Sequence, residues 1–273
     1  MSNIKTELYP QTTRGGGKQS QAYIKARRDM FAEMISGITG LLLAAFILGH
    51  LILESTMIFG KDLYQVVAYY MEHPLPLAQA SIFAIGLFFF LHFVYASRKI
   101  PAKLYERKRM MEIGLSIKKS KGKWNQPKSD IKLRAHRATS LWIWQVRTGM
   151  IVLACGSFHL FLVTWNVFTN MGIIANKAGL TAEIAHSRVE SGLWILYLVL
   201  GISIVAHTSI GIYRLAVKWI SGRFFNRKIA MLICNLIFWF YLILSIAGVA
   251  ALAGKFTPYE IPVGDYLKGV IYE

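Results

Sequence analysis

Four histidines lie inside long apolar stretches of this 273-residue chain, one in each of four separate stretches: His50, His92, His159 and His207. Histidine is costly to place in lipid, and an intramembrane histidine usually has a functional role. A neutral imidazole is also a common ligand of metal ions. These four residues are therefore the first candidates for a metal or haem site, and the helices that hold them must be placed next.

Five apolar stretches predict an all-α bundle of five transmembrane helices. Only 16% of the residues are charged, against about one-quarter in a soluble domain. A run of roughly 20 apolar residues crosses a bilayer as a helix, because lipid offers no partner to irregular backbone. The predicted spans within the membrane domain 31–254 are residues 31–54, 77–97, 139–169, 190–217 and 228–254.

The segments outside this domain are an N-terminal arm, residues 1–30, and a C-terminal tail, residues 255–273. The arm is polar, so no cleavable signal peptide is predicted. The arm, the second loop and the fourth loop carry six, fourteen and four Lys or Arg, whereas the first loop, the third loop and the tail carry one, two and two. Because cytoplasmic segments are enriched in Lys and Arg, the N-terminus is predicted inside and the C-terminus outside.

The second loop, residues 98–137, is the most basic segment of a chain whose net charge is +17. Its charges are clustered between spans and show no ordered alternation with aromatic residues. No nucleic-acid partner is therefore predicted. A loop of this kind is typical of a segment beside anionic lipid headgroups. A docking surface for a cytoplasmic partner is the second interpretation, and the two are compatible.

The direction of each span predicts the depth of each histidine. His50 and His159 fall near the outer ends of spans one and three, and His92 and His207 fall near the inner ends of spans two and four. At a rise of about 1.5 Å per residue the two levels differ by roughly 15 Å. Two imidazoles from two helices suit the axial positions of a haem iron, whereas zinc would need three or four ligands at one depth. The pattern predicts two haems, one near each face.

A haem-free transporter with a histidine proton relay is an alternative from another class. A single intramembrane histidine often forms a hydrogen bond between helices, and a relay would need carboxylates near the histidines. The spans contain almost none; Glu33 and Glu54 lie at the two ends of the first. The other three histidines, His73, His136 and His186, fall in predicted loops, and no role is assigned to them.

Cationic and hydrogen-bonding residues at the inner ends of the spans are candidates to hold the propionates of the inner haem. Arg214 and Lys218 follow His207 by seven and eleven residues, which places them on about the same side of the helix and closer to the inner face. Trp142 and Ser36, at the inner ends of spans three and one, could donate hydrogen bonds. The same residues also suit an ordinary membrane interface.

The sequence resembles the dihaem cytochrome b membrane-anchor subunit of quinol:fumarate reductases and succinate:menaquinone oxidoreductases. The resemblance covers roughly residues 30–254, hence all five spans. The residues that carry it are Gly49-His50, Ser55-Thr56, Glu72, Leu141-Trp142, Gly156-Ser157-Phe158-His159, and His207 with the run Gly211-Ile212-Tyr213-Arg214-Leu215-Ala216-Val217-Lys218-Trp219.

The resemblance implies a role for each matching residue. The four histidines would be the axial ligands of two haems b, paired as their depths predict. A menaquinol site would lie near the outer haem, with Glu72, 22 residues after His50, as the proton acceptor. Trp142 and Lys218 would contact the propionates of the inner haem, and Ser36 falls where the family has a polar contact.

The resemblance also implies partners. The inner haem would face an iron–sulfur subunit, which passes electrons to a flavoprotein subunit on the cytoplasmic side of a bacterial membrane, and the whole complex could dimerise. This chain would be the electron-transfer subunit of the oxidoreductase and would not act on the dicarboxylate. The nearest alternative is the cytochrome b anchor of a hydrogenase or a formate dehydrogenase, whose peripheral enzyme usually lies outside.

One position departs from the family. Some members have a glutamate two residues before the fourth histidine ligand, proposed to carry protons across the membrane alongside the electrons. That position is Val205 in this chain. Electron transfer is therefore expected to lack charge compensation by that route.

Overall fold

The computed structural model describes residues 21–72, 77–121, 137–170, 181–220, 222 and 226–256, with four isolated residues, 261, 263, 264 and 269. This described part is helical and contains no strand. Its helices are α1 (Gln21–Glu54), α2 (Lys61–Glu72), α3 (Leu77–Ser97), α4 (Ile100–Lys121), α5 (Arg137–Asn170), α6 (Ala182–Arg188), α7 (Trp194–Leu215) and α8 (Arg227–Leu252). A 3₁₀ segment, Ser55–Phe59, follows α1, and π-helical turns flank α7 at Val189–Leu193 and Ala216–Ile220.

Within the described part of the chain, five helical stretches are long and apolar enough to cross a membrane, with mean hydropathies from 1.7 to 2.4. The prediction of five candidate spans in an all-α protein is confirmed for the residues that the structure describes. Large apolar side chains face outward along them, such as Phe83, Phe90 and Leu236, each at least 60% exposed. Thr39 and Thr148 are instead buried. Apolar residues outside and polar residues inside are what a lipid environment favours, and water would not tolerate so large an apolar surface.

The spanning helices pack as two pairs. Helix α1 lies against α3, and α5 lies against α7, while α8 also packs against α7. The approach of α7 to α8 is close at Gly201, where a Cβ would collide with the Ser245 hydroxyl. Each of the four paired helices carries one of the candidate histidines, and α8 carries none.

Three helices lie in segments that were predicted to be loops between the spans. Helix α2 occupies most of the first loop, and α4 begins the second, basic loop. His186, predicted in a loop, lies in α6. A run of about 20 apolar residues predicts a spanning helix, but the absence of such a run does not decide whether a polar segment is helical.

One end of the bundle is covered by a layer of short elements. The Ser55–Phe59 segment, α2 and α6 pack with the last turn of α8 around an apolar cluster of Met57, Tyr64, Ala68, Ala182, Ala185, Val189, Ala251 and Leu252. Positive φ angles at Gly60 (111°) and Gly192 (101°) allow the chain to turn into α2 and α7. We call this the capped end of the bundle.

Candidate functional site

A continuous cavity of about 1280 Å³ runs along the inside of the bundle, and all four candidate histidines line it. A single small ligand usually occupies roughly 300–1,000 Å³, so this space is large for one occupant. Its walls are mostly apolar, and they come from both helix pairs and from α8.

The histidines meet across the cavity in two pairs. The ring centres of His50 and His159 are 6.3 Å apart, and those of His92 and His207 are also 6.3 Å apart. A metal binds an imidazole nitrogen at about 2 Å and the ring centre lies roughly 1 Å beyond, so two rings on opposite sides of one iron have centres about 6 Å apart. Both pairs therefore fit the axial ligation of an iron. Among the described residues, no three His, Cys, Asp or Glu form a cluster of metal-ion type.

His92 and His207 are each oriented by a backbone carbonyl of the helix that packs beside their own: α1 for His92 and α5 for His207. Nδ1 of His92 lies 3.1 Å from the Ser36 carbonyl, and Nδ1 of His207 lies 3.0 Å from the Gln145 carbonyl. With Nδ1–H donated to a carbonyl, Nε2 is left as the metal-binding nitrogen. This outer hydrogen bond is what metal-ligating histidines commonly make.

A threonine follows three residues after each of these carbonyls. The hydroxyl oxygens of Thr39 and Thr148 lie 3.5 Å from the Nδ1 atoms of His92 and His207 respectively. Each hydroxyl donates to a carbonyl of its own helix, at 2.7 Å for Thr39 and 2.8 Å for Thr148. The hydroxyl oxygen is therefore oriented as a second, weaker acceptor for the imidazole.

A glycine follows each of these threonines and is required by the position of the ring. A Cβ at Gly40 would lie 2.8 Å from Cε1 of His92, and a Cβ at Gly149 would lie 2.9 Å from Cε1 of His207. Any side chain at either position would push the imidazole away from its carbonyl. The same Thr-Gly arrangement thus holds both histidines, once on α1 and once on α5.

The second histidine pair lies toward the capped end, and its surroundings are different. His50 stacks on Phe46, with ring centres 5.4 Å apart and an interplanar angle of 10°, and its Nδ1 lies 3.9 Å from a carboxylate oxygen of Glu54. Nδ1 of His159 is buried and has no hydrogen-bond partner among the described residues. The ring of His159 meets the edge of Tyr197 at 5.5 Å.

The opposite end of the cavity is lined by cations, and we call it the basic end. Among the described residues, six Lys and Arg side chains lie there: Arg98, Lys99, Lys103, Arg214, Lys218 and Arg227. Glu33 is the acidic residue among them, and it pairs with Lys99 at 2.6 Å and with Lys218. The surplus of positive charge suits an anionic group near His92 and His207.

The four residues predicted to contact propionates all line the cavity. Lys218 pairs with Glu33, and Arg214 donates to the side-chain carbonyl of Gln145. Trp142 is half-buried, with the Lys103 ammonium 5.8 Å from its ring centre. Ser36 contacts His92 through its backbone carbonyl rather than its hydroxyl.

Glu72, predicted as a proton acceptor, is the last residue of α2, so its backbone belongs to the capped end. Its side chain lies outside the described residues, as do His73 and His136. Val205, the position that departs from the family pattern, is 2% exposed inside the bundle.

The two Thr-Gly pairs and the contact of Glu54 with His50 were not predicted from the sequence. A signal for the first was present, because Gly40 precedes His50 by ten residues and Gly149 precedes His159 by ten residues. The repeat shows that α1 and α5 present equivalent surfaces. The contact of Glu54 follows from its place four residues after His50 on one helix.

The fold and the site define a class: a helical membrane protein in which two histidine pairs from four spans face a shared internal cavity. The chain is 29% identical over 211 residues to the fumarate reductase cytochrome b subunit of Helicobacter pylori strain 26695, which covers 75% of this chain and 70% of that protein. It is 28% identical over 203 residues to the subunit of the same name from Wolinella succinogenes, covering 71% of this chain and 69% of that protein. No protein-family model matches the sequence.

These similarities confirm the resemblance predicted from the sequence. Together with the five apolar helices, they identify the chain as a multi-pass bacterial membrane protein similar to fumarate reductase cytochrome b subunits.

Proposed function

We propose that this chain is the membrane-anchor cytochrome b subunit of a fumarate reductase or succinate dehydrogenase complex. The observation that carries the proposal is the equal separation, 6.3 Å, of two histidine rings at each of two levels of one cavity. Each pair would hold one haem b. His50 and His159 would be the ligands at the capped end, and His92 and His207 would be the ligands at the basic end.

A bound haem b supplies a one-electron redox centre, and the residues of this chain fix its place and environment. The carbonyls of Ser36 and Gln145 fix the tautomer of the basic-end ligands. The apolar cavity walls exclude water from the space between the two levels. The cations of the basic end, Arg214 and Lys218 among them, would neutralise propionates there, with Trp142 and Ser36 as further contacts.

The proposed orientation follows from the charges. The basic end faces the cytoplasm, because the six cations and the basic second loop obey the positive-inside rule. The capped end and the C-terminal tail then face outward. The iron–sulfur subunit and, beyond it, the flavoprotein would dock at the basic end. Residues 31–254 would form the membrane domain.

The proposed electron donor is menaquinol, oxidised at the capped end. Oxidation of a quinol releases two protons with two electrons, and a carboxylate near the outer face can accept these protons one after the other and pass each to the water outside. Glu72 is placed at this end by α2, and we assign it that role. Electrons would then pass from the capped-end level to the basic-end level and on to the iron–sulfur partner.

The residue at position 205 bears on whether protons cross the membrane together with the electrons, and we propose that they do not cross by this route. This buried position carries an aliphatic side chain, so no carboxylate there could move a proton inward with the electrons. Menaquinol-driven fumarate reduction in liposomes is expected to change the membrane potential, and a strictly electroneutral reaction would contradict this.

The first test is the absorption spectrum of the purified chain. We expect a reduced-minus-oxidised spectrum of low-spin haem b at two haems per chain, with an iron–sulfur and a flavin subunit co-purifying from the native membrane. A chain without haem would overturn the proposal and favour a haem-free transporter. A partner enzyme located on the outer face would favour a hydrogenase or formate dehydrogenase anchor instead.

The second test concerns the quinol site. Glu72→Gln should abolish menaquinol oxidation while both haems are retained, because the amide cannot accept a proton. Glu183→Gln is a matched control, since Glu183 lies in the first turn of α6 at the same end. Unchanged turnover of Glu72→Gln would remove this residue from the site.

A further inference from the structure

Glu54 is an acidic residue beside His50, one of the four candidate ligands. It is the last residue of α1 and it lines the cavity. One of its carboxylate oxygens, Oε1, lies 3.9 Å from Nδ1 of His50, and the other, Oε2, accepts a hydrogen bond of 3.2 Å from the Tyr64 hydroxyl. The carboxylate therefore stands between the imidazole and a phenol that comes from α2.

Tyr64 is suited to hold this carboxylate in place. Its side chain is 8% exposed and belongs to the apolar cluster of the capped end. Burial, with the Glu54 charge as a further cause, raises the pKa of the Tyr64 phenol well above 10. The phenol stays protonated at physiological pH, so it remains a hydrogen-bond donor to Glu54.

We infer that Glu54, held by Tyr64, is the positioning residue of His50 and sets the redox potential of the capped-end haem. The inference rests on the proposed function, because it assumes that His50 ligates an iron. At 3.9 Å the carboxylate is beyond hydrogen-bond length, but its charge favours a proton on the facing Nδ1 and so leaves Nε2 as the metal-binding nitrogen. Its negative charge stabilises the oxidised, more positive form of the site and so lowers the midpoint potential.

The other histidines show why this effect should be confined to one haem. The two basic-end ligands both face neutral backbone carbonyls, and Nδ1 of His159 has no partner among the described residues. Among the described residues that line the cavity, Glu33 is the other acid, and it is paired with two lysines at the basic end. Glu54 is thus the acidic group placed to act on the capped-end pair.

The chain provides a matched control. His186 and Glu190 form a second histidine–glutamate contact at the same i, i+4 spacing and the same end, with 3.5 Å between Nε2 and the carboxylate. Neither residue lines the cavity. Glu190→Gln therefore removes the same charge from the same end without touching a proposed ligand.

The experiment is a spectroscopic redox titration of the purified complex. We expect Glu54→Gln to raise the midpoint potential of one haem and to leave the other unchanged, and Glu54→Asp to shift it less. A His207→Ala background, in which the capped-end haem remains, identifies which haem moved. Glu190→Gln should leave both potentials unchanged.

Tyr64→Phe separates charge from position. This variant keeps the carboxylate but frees it to rotate, so we expect a smaller shift in potential together with a changed or broadened electron paramagnetic resonance signal of one low-spin ferric haem. A purely structural role for Glu54 would alter haem content or stability without moving a potential.

The outcomes separate this inference from the proposed function. A wild-type chain with two haems whose potentials are the same in Glu54→Gln would overturn the inference and leave the proposed function standing. Equal shifts of both haems, or an equal shift in Glu190→Gln, would also overturn it. A wild-type chain that binds no haem would overturn both.

Discussion

Each end of the cavity holds one pair of histidine rings, and the surroundings of the two pairs differ. At the basic end both Nδ1 atoms meet backbone carbonyls, a Thr-Gly pair supports each ring, and six cations surround the opening. At the capped end one Nδ1 faces a carboxylate, the other has no described partner, and Arg188 is the cation on the cavity wall. The ring separation is 6.3 Å in both. The two sites therefore have the same ligands at the same spacing. Any difference between them must come from the residues that surround the histidines.

Removal of one ligand from each end has the largest expected effect. His207→Ala should remove the basic-end haem and His50→Ala the capped-end haem, each lowering the haem content from two to one per chain. Pyridine haemochrome analysis gives the content, and redox titration shows which centre remains. If either variant kept both haems, the pairing would be wrong.

Substitution of the supporting glycines should affect only the basic end. Gly149→Ala places a methyl group 2.9 Å from the His207 ring, and overpacking of this kind costs about 1–3 kcal/mol. We expect the basic-end haem to be lost or weakly held, with the capped-end haem retained. Gly86→Ala is the control, because its Cβ would find only an ordinary contact of 3.8 Å with Leu160. Equal loss of both haems in Gly149→Ala would remove this contrast between the ends.

The threonine hydroxyls should have a smaller effect. Thr148→Val removes the weaker acceptor, 3.5 Å from Nδ1 of His207, while the Gln145 carbonyl remains. We expect the basic-end potential to rise by less than about 30 mV, since about 59 mV corresponds to a tenfold change for one electron. Thr169→Val on the same helix is the control, because Thr169 makes the same internal bond to a carbonyl, at 2.8 Å, away from the histidines. A shift in the midpoint potential of the capped-end haem in Thr148→Val would contradict the assignment of Thr148 to the basic-end site.

The ion pairs at the basic end should contribute least. Glu33 is 42% exposed and pairs with Lys99 and Lys218, and exposed pairs of this kind contribute about 0–1 kcal/mol each. Glu33→Gln should lower the melting temperature by only a few degrees. Asp29→Asn, which removes one pair with Arg98, should lower it less. A larger decrease in melting temperature in Asp29→Asn than in Glu33→Gln would show that the two ion pairs of Glu33 do not contribute more to stability than the single pair of Asp29.

Sequence position was informative about depth because a helix converts residue number into height along its axis. The five spans could be predicted from apolar runs alone. Residue position within each span then indicated the depth of each histidine, and the structure brings His50 to His159 and His92 to His207, as their depths indicated. Their roles as ligands, and that of Glu72, remain predictions until the variants are measured.

The rotation of each helix and its choice of neighbour could not be predicted in the same way. That Thr39 faces His92 depends on α1 packing against α3, and that Thr148 faces His207 depends on α5 packing against α7. These contacts are set by side-chain packing between helices, which apolar periodicity does not specify when a helix is apolar on nearly every face. Helices α2, α4 and α6 were not predicted because hydropathy reports burial in lipid and carries no information about helices outside it.

The division of the spans into two packed pairs has a consequence for biosynthesis. Helices α1 and α3 lie together and leave the ribosome first, yet each carries only one member of a histidine pair. The pair at the capped end is complete once α5 has entered the membrane, and the pair at the basic end must wait for α7. Neither site exists in the first half of the chain. With the proposed haem ligands, haem incorporation would be a late step in assembly, and the cofactors would join two halves that translation delivers one after the other.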